Sequence, residues 1–278
     1  MRLERITSRL GRGCSVQLSY GGVSQFDCII VRWRFNGVTE ARGHMDDATA
    51  RYLNNLNRAF YAKTANEFHA TRGAAWPGWT RLLLYLHTPL RVLDLGCGNG
   101  RFGVFLAEHR QTPLVYHGID AEPRLLDFAH SALHAFADVK PILDQADILT
   151  DPLPAQTYGL VVMFGLLHHV PGLERRRHLI AEAAARVAEG GLLVFACWRF
   201  MDFTRFRERI VAWPPEIPVE RGDHLLDWRR GERAIRYCHH VDDDEQAALI
   251  AAAELELVDS YRADGEDSRT NSYAILRR

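Results

Sequence analysis

"RVLDLGCGNGRFG", residues 91–103, decides the fold. A short apolar run stops at Leu95 and gives way to Gly96, Gly98 and Gly100, after which the helical pattern "GRFGVFLAEHR" begins. Strand, tight turn and helix is the reading, because glycine lets the backbone turn sharply and approach a ligand at a helix N-terminus. The same alternation continues outward to Phe200. Strands are expected at "RVLDLG", "LVYHGID", "PILDQAD", "GLVVMFG" and "GLLVFACW". Helices are expected at "PRLLDFAHSALHAF" and "ERRRHLIAEAAARVAEG", the second stopping at Gly190-Gly191. Short apolar strands alternating with helices predict an α/β fold whose parallel sheet is covered on both faces.

The bulk numbers exclude several classes. The chain has 278 residues, 47% hydrophobic and 25% charged, as an ordinary globular protein does. No apolar run reaches the roughly 18 residues of a membrane span, and the N-terminus lacks the apolar core of a secretory signal. No membrane partner and a cytoplasmic location are therefore expected. A net charge of −1 supplies no overall field toward nucleic acid, so RNA binding would need a local basic face. Five scattered cysteines (Cys14, Cys28, Cys97, Cys197, Cys238) make neither a disulfide framework nor a zinc-ligand spacing, so free thiols and no metal are expected.

Residues 1–44 carry β-like stretches, "CSVQLSYGG" and "FDCIIVRWRFNG", and are read as an extension with Met45 as an alternative start. Residues 45–278 are read as the main domain. Within it, 45–90 is helical, with apolar residues three and four apart in "DDATARYLNNLNRAFYAKTANEFHATR" and a break at "GAAWPG". Residues 201–240, rich in Arg, Trp and Pro, are read as an irregular cap inserted after the fifth strand. A helix, "VDDDEQAALIAAAE", and two strands, "LELVDSYRA" and "NSYAILRR", close the chain.

The acid in the opening stretch narrows the ligand. A dinucleotide would put its pyrophosphate on the glycine turn, where Asp94 would repel it. S-adenosyl-L-methionine has no phosphate and offers an amino group and a sulfonium, which Asp94 suits. Asp120 ends the second strand, where a carboxylate accepts from ribose hydroxyls, and Asp147 ends the third, placed for an adenine amino group with Ile148 against the ring. Gly96, Cys97, Gly98, Gly100, Ala121 and Phe164 complete the expected cofactor set.

With "VLDLGCGNG", "HGIDAE", "ADILTDPLP" and the segment from "HHVPGLERRR" to "LLVFACW", the chain resembles the class I adenosylmethionine-dependent methyltransferases. The likeness runs from about Arg91 to Phe200 and more loosely to the C-terminus. It implies a Rossmann-like fold: a mostly parallel seven-stranded sheet, helices on both faces, and a cap after the fifth strand. A narrower resemblance rests on "FYAKTANEFHATRGAAWPGW", "LLHHV", "GDHLLDW" and "RYCHHVDDDEQ", which are similar to segments of the tRNA wobble-uridine carboxymethyl methyltransferases. It implies methylation of the carboxylate of a 5-carboxymethyluridine-type nucleotide, tRNA as partner, and room for a small activator subunit. Two departures stand out: Tyr158-Gly159 where an acid commonly opens the fourth strand, and Cys238 where the family has tyrosine.

A carboxylate acceptor is ionised at pH 7 and needs no base, so the site should supply a cationic clamp. Arg72 is the first candidate, with Trp76 and Trp79 placed to stack on a base. His168 and His169 follow the fourth strand and can hydrogen-bond the acceptor or act as a base. Arg229, Arg230, Arg233 and Arg236, interleaved with Trp228 and Tyr237, form a basic cluster suited to phosphates. A small-metabolite methyltransferase with residues 201–240 as a lid, and a non-catalytic adenosylmethionine-binding module, remain the alternatives.

Overall fold

The computed structural model describes residues 45–109 and 111–278, so the β-like reading of residues 1–44, with Cys14 and Cys28, lies outside the described residues. Asp46 caps the first helix, its carboxylate accepting from Thr49 N at 2.8 Å, and α1 (Asp47–Ala70) follows. Its buried positions, Ala50, Leu53, Asn57, Phe60 and Thr64, recur every three or four residues and form one face. After the Pro-containing break come α2 (Trp79–Leu82), β1 (Leu90–Leu95), α3 (Arg101–Glu108), β2 (Leu114–Asp120), α4 (Pro123–Leu133), β3 (Val139–Gln145) and β4 (Tyr158–Phe164). The chain continues through α5 (Leu173–Ala185), β5 (Val187–Trp198), α6 (Thr204–Arg207), β6 (Ile210–Val211), β7 (Asp223–Trp228), β8 (Ala234–His239), α7 (Asp243–Ala252), β9 (Glu256–Ala263) and β10 (Asn271–Arg277).

Seven strands form one sheet in the order β3-β2-β1-β4-β5-β10-β9. The first five pair in parallel, and β10 runs antiparallel to both β5 and β9. Alternate side chains feed two apolar layers. Leu93, Leu95, Val161, Met163, Leu193 and Phe195 meet Leu179, Ile180 and Ala183 of α5 and Leu249 of α7. Val92, Leu160, Val162, Leu192 and Val194 meet Phe102, Phe105 and Leu106 of α3 and Leu126 and Leu133 of α4 on the other face. The chain runs outward from β1 through β2 to β3 and then returns to β4. A crevice opens at the carboxyl ends of β1 and β4, where such folds bind ligands.

Two expectations are corrected. Gly190-Gly191 does not end a helix: α5 stops at Ala185, and the glycines lie inside β5. The ladder jumps there from Tyr158–Val187 to Leu160–Leu192, so the intervening residues bulge. Gly190 takes a φ of 70°, and a Cβ on Gly191 would press within 3.1 Å of three carbonyl oxygens. The cap is not irregular either, since β6, β7 and β8 form an antiparallel sheet with Leu226 and Cys238 packed on Phe200. The arginines and prolines lie mostly in the connections between these short strands and hid them.

A buried polar network joins the cap to the helices behind β5. Arg176, fully buried, donates to Glu220 (3.0 Å), Glu245 (2.5 Å) and the Val170 carbonyl (2.9 Å). His239 bridges Asp223 (2.6 Å) and Glu245 (2.7 Å), which holds its imidazole above the ordinary histidine pKa and both carboxyls below theirs despite burial. Removing the cation strands two half-buried carboxylates, so Arg176→Ala is expected to cost about 3 kcal/mol in urea denaturation. Unchanged stability would show that the network does not hold the cap.

Candidate functional site

The crevice deepens into a cavity of about 1180 Å³ enclosed by α1, the glycine turn, the ends of β2 and β4, the cap and the β9–β10 loop. A pocket for one small ligand spans roughly 300–1,000 Å³, so this one has room for two.

One half is built on acids at strand ends. Asp94, on the last turns of β1, is 3% exposed and receives a single side-chain hydrogen bond, from Tyr116 Oη at 2.5 Å. Burial pushes its carboxyl up to about 7, against the lowering effect of Tyr116. A carboxylate so placed gains most from a cationic ligand. Asp120 closes β2, accepts from Gly98 N (2.8 Å) and Glu122 N (3.0 Å), and is also raised by burial. Gly96, with a φ of 74°, and Gly98 open the wall beside it, and Cys97 and Ala121 line the same half. Asp147 lies two residues beyond the end of β3 and is gripped from across the cavity by Asn54 of α1 at 2.7 Å. Ile148 and Phe164 line the cavity as well, Phe164 packed among Trp76, Trp79 and Phe102.

Gly100 is placed otherwise. It does not line the cavity, and a Cβ there would meet Ala129 of α4 at 2.9 Å. Its role is close packing of the turn against α4.

The other half is cationic. Arg72, Arg209, Arg230 and Arg236 line it, and among the described residues none pairs with a carboxylate. Arg236 is 9% exposed and boxed by the rings of Phe60, Trp198 and Trp228 at 5.3–5.7 Å. Arg72 lies over Phe68 at 5.0 Å, and burial followed by the charge of Arg236 lowers its pKa. Arg229 points elsewhere: it is exposed, outside the cavity, and tied to Asp227 at 2.7 Å. Trp228 is a wall of the box, its indole N–H committed to the Arg230 carbonyl at 2.7 Å. Trp76 stacks on Trp79 (5.3 Å) beneath the guanidinium of Arg101, and Trp79 itself is core.

Between the halves sit His168 and His169. His168 Nδ1 is buried without a partner, and burial holds the ring well below the ordinary histidine pKa. His169 has both ring nitrogens engaged, Nε2 with Tyr61 Oη (2.9 Å) and Nδ1 with the Tyr237 carbonyl (3.0 Å), and burial lowers it to about 3. Ligating atoms of His168, His169 and Cys238 come within 4.8 Å of one another, a cluster the sequence spacing did not reveal. The engaged nitrogens of His169 and the nearby charge of Arg236 set that cluster against a metal cation. Asn54, Asn57, Tyr61 and Arg101 went unnoticed in the sequence. The first three share the inner face of α1 but are polar, so hydrophobic periodicity does not mark them.

The family model described as "Methyltransferase domain" matches residues 92–191. The tRNA (carboxymethyluridine(34)-5-O)-methyltransferase of Schizosaccharomyces pombe is 26% identical over 148 residues, 53% of this chain and 59% of that protein, so the chain spans little more than half of that relative. The 27-O-demethylrifamycin SV methyltransferase of Amycolatopsis mediterranei is 30% identical over 112 residues, 40% of this chain and 39% of that protein. The N-methyltransferase NodS of Bradyrhizobium japonicum, solved with S-adenosyl-L-homocysteine, superposes with a TM-score of 0.52 at 19% identity, covering 84% of this chain and 99% of that one. The fold is thus Rossmann-like and shared with solved methyltransferases, one of them holding S-adenosyl-L-homocysteine, and residues 92–191 match a methyltransferase domain.

The raised pKa of Asp94 gives a signed expectation. Ionised Asp94 is what a cation binds, so cofactor affinity should rise with pH through about 7 and level off above it. The ligand-free fold prefers the protonated form, so stability falls as pH climbs from the unfolded carboxyl value, 3.8, through 7. Asp94→Asn should therefore abolish cofactor binding while stabilising the ligand-free protein at pH 8 by about 2 kcal/mol. Calorimetric titration and thermal melting at several pH values check both, and an affinity independent of pH and of Asp94→Asn would contradict the assignment.

Proposed function

We propose that this enzyme methylates the carboxylate of a 5-carboxymethyluridine-type nucleotide at the wobble position of tRNA. The observation that carries the reading is that the cavity arginines Arg72, Arg209, Arg230 and Arg236 pair with no carboxylate among the described residues, with Arg236 buried in an aromatic box. An unpaired buried guanidinium costs several kcal/mol, and an anionic acceptor removes that cost. The sequence likeness to a carboxymethyluridine methyltransferase supports the same substrate.

In this reading Asp94 holds the cofactor's amino group, Asp120 its ribose hydroxyls, and Asp147, steadied by Asn54, the adenine amino group. When bound, adenosylmethionine would supply an electrophilic methyl, to which an acceptor oxygen bonds as the carbon–sulfur bond breaks and its electron pair passes to sulfur. Arg72 and Arg236 clamp the acceptor carboxylate, and Trp76 lies beside its base. The carboxylate brings no proton, so no general base is required. His168, kept neutral by burial, hydrogen-bonds the acceptor without adding charge. Arg209 and Arg230, nearer the rim, meet phosphates. Residues 45–278 act as the catalytic domain, with 201–240 as the cap that excludes water. The relative acting on a rifamycin supports a second reading, a small-molecule acceptor beneath the cap.

Incubation with labelled adenosylmethionine and either undermethylated tRNA or a small-molecule extract, followed by nucleoside mass spectrometry, separates the two. Label in the methyl ester of a wobble uridine is the expected result, and label confined to small molecules would overturn it. Arg236→Ala should lower turnover about 100-fold, the ~3 kcal/mol of a charge-assisted contact, with cofactor affinity little changed. Full activity of that variant would remove the clamp from the mechanism.

A further inference from the structure

Where the cap joins the helices behind β5, the protons balance only if a histidine is charged. His239 ends β8 and faces Asp223, the first residue of β7, as a cross-strand pair. Its side chain is 1% exposed, out of reach of water, and each ring nitrogen meets a carboxylate. Nδ1 lies 2.6 Å from Asp223 Oδ1, and Nε2 lies 2.7 Å from Glu245 Oε2 on α7. The other oxygens are held as acceptors too, Asp223 Oδ2 by Glu220 N at 2.8 Å and Glu245 Oε1 by Arg176 Nε at 2.5 Å. Each contact to the ring needs one proton, and a neutral imidazole carries only one. Histidine is ordinarily more basic than either acid, 6.5 against 3.8 and 4.5, so the second proton also sits on the ring.

The other charges and titratable groups around the ring are Arg176 on α5, Glu220 before β7, and Tyr237, His224 and His240 on the cap strands and their edge. Burial keeps His224 and His240 below the ordinary histidine value and Tyr237 well above that of a phenol, so none of the three supplies charge. With His239 charged, the carboxylates of Glu220, Asp223 and Glu245 meet two cations. With it neutral, they meet Arg176 alone, and a ring nitrogen's lone pair faces a carboxylate oxygen at hydrogen-bond distance. The ring is also confined: Gly222, with a φ of 102°, packs on it so closely that a Cβ there would lie 3.0 Å from His239 Cε1. This contact joins two parts of the site. Glu245 belongs to α7 behind the sheet, whereas β7 and β8 carry Trp228 and Arg236, three residues before His239.

We propose that protonated His239 latches the cap to α7, and that the cap, with Arg236 on it, loosens over the cavity when the ring loses its proton. His239 is a positioning residue: it acts through the strand that carries Arg236. Its two acids hold the proton on the ring above the ordinary histidine value. The latch is therefore fully closed below about pH 6.5 and opens as pH climbs through the raised value. Asp94 titrates in the opposite sense, since its ionisation strengthens cation binding, so alkali favours the cofactor half and weakens the cap. The effect on acceptor binding rests on the proposed anion half; the latch itself does not.

The test uses the full chain without ligands, its histidines labelled with ¹⁵N. Both ring nitrogens of His239 should show imidazolium shifts at about pH 6.5 and lose them together at higher pH. Proteolysis within residues 201–240, normalised to an unstructured peptide, should become about tenfold faster across that titration. His239→Gln, which cannot carry the charge, should be cleaved at the fast rate at every pH. Glu245→Gln, which removes one of the two acids, should move the midpoint to lower pH. With adenosylhomocysteine affinity measured alongside, acceptor KM alone should rise with the same midpoint. A neutral His239 ring at pH 6.5 overturns the proposal. So does a pH dependence of cap cleavage that persists in His239→Gln, or a midpoint unmoved in Glu245→Gln. A cap that opens with His239 while acceptor KM stays flat strikes the proposed anion half and supports the latch.

Discussion

A buried carboxylate and a buried guanidinium share one cavity and do not neutralise each other. Asp94 takes a hydrogen bond from Tyr116, Arg236 is held by three aromatic rings, and among the described residues neither pairs with an opposite charge. Both arrangements oppose folding of the ligand-free chain. They persist because the sheet, the cap network around Arg176 and the face of α1 over-determine where these groups sit. The cavity is thereby polarised, receptive to a cation at the end of β1 and to an anion beneath the cap, and a methyl donor with an ionised acceptor matches that polarity.

The first helix does more than cover the sheet. Asn54 reaches Asp147 in the cofactor half, while Asn57 ties His169 to the backbone of β8, and Tyr61 lies between. One face of α1 thus registers the glycine-turn side against the cap. The polar positions on that face are as buried or half-buried as the apolar ones beside them, and each is used. At the other end of the helix His69 stacks on Phe128 at 3.8 Å and meets Asn99 of the glycine turn at 3.1 Å, so the same element also braces the turn.

Much of the fold was legible in the sequence because the inner parallel strands β1, β2, β4 and β5 are largely buried and read as apolar runs between helical patterns. Asp94 and Asp120 were legible for the same reason, as acids ending such runs. The misreadings have local causes. Gly190-Gly191 looked like a helix stop because a bulge inside a strand needs the same positive φ. Gly100 looked like part of the ligand turn, but its missing side chain makes room for Ala129. The cap strands were hidden because they are short and lie among Pro, Gly and Arg-rich connections. Arg229 and Arg230 are adjacent in the connection after β7, yet only Arg230 lines the cavity, because Arg229 is turned to Asp227. Tyr61 and Asn57 carry no motif, and their importance comes from residues more than a hundred positions away.

The central claim is that the cavity selects an anionic acceptor beside the cofactor. It is tested most directly with the protein saturated in adenosylhomocysteine and an anticodon stem-loop carrying either 5-carboxymethyluridine or its methyl ester. The dissociation constants of the two oligonucleotides are then compared. The account predicts that the acid binds at least about tenfold more tightly, since ester formation removes the charge that Arg72 and Arg236 hold. Equal affinities for acid and ester would contradict it.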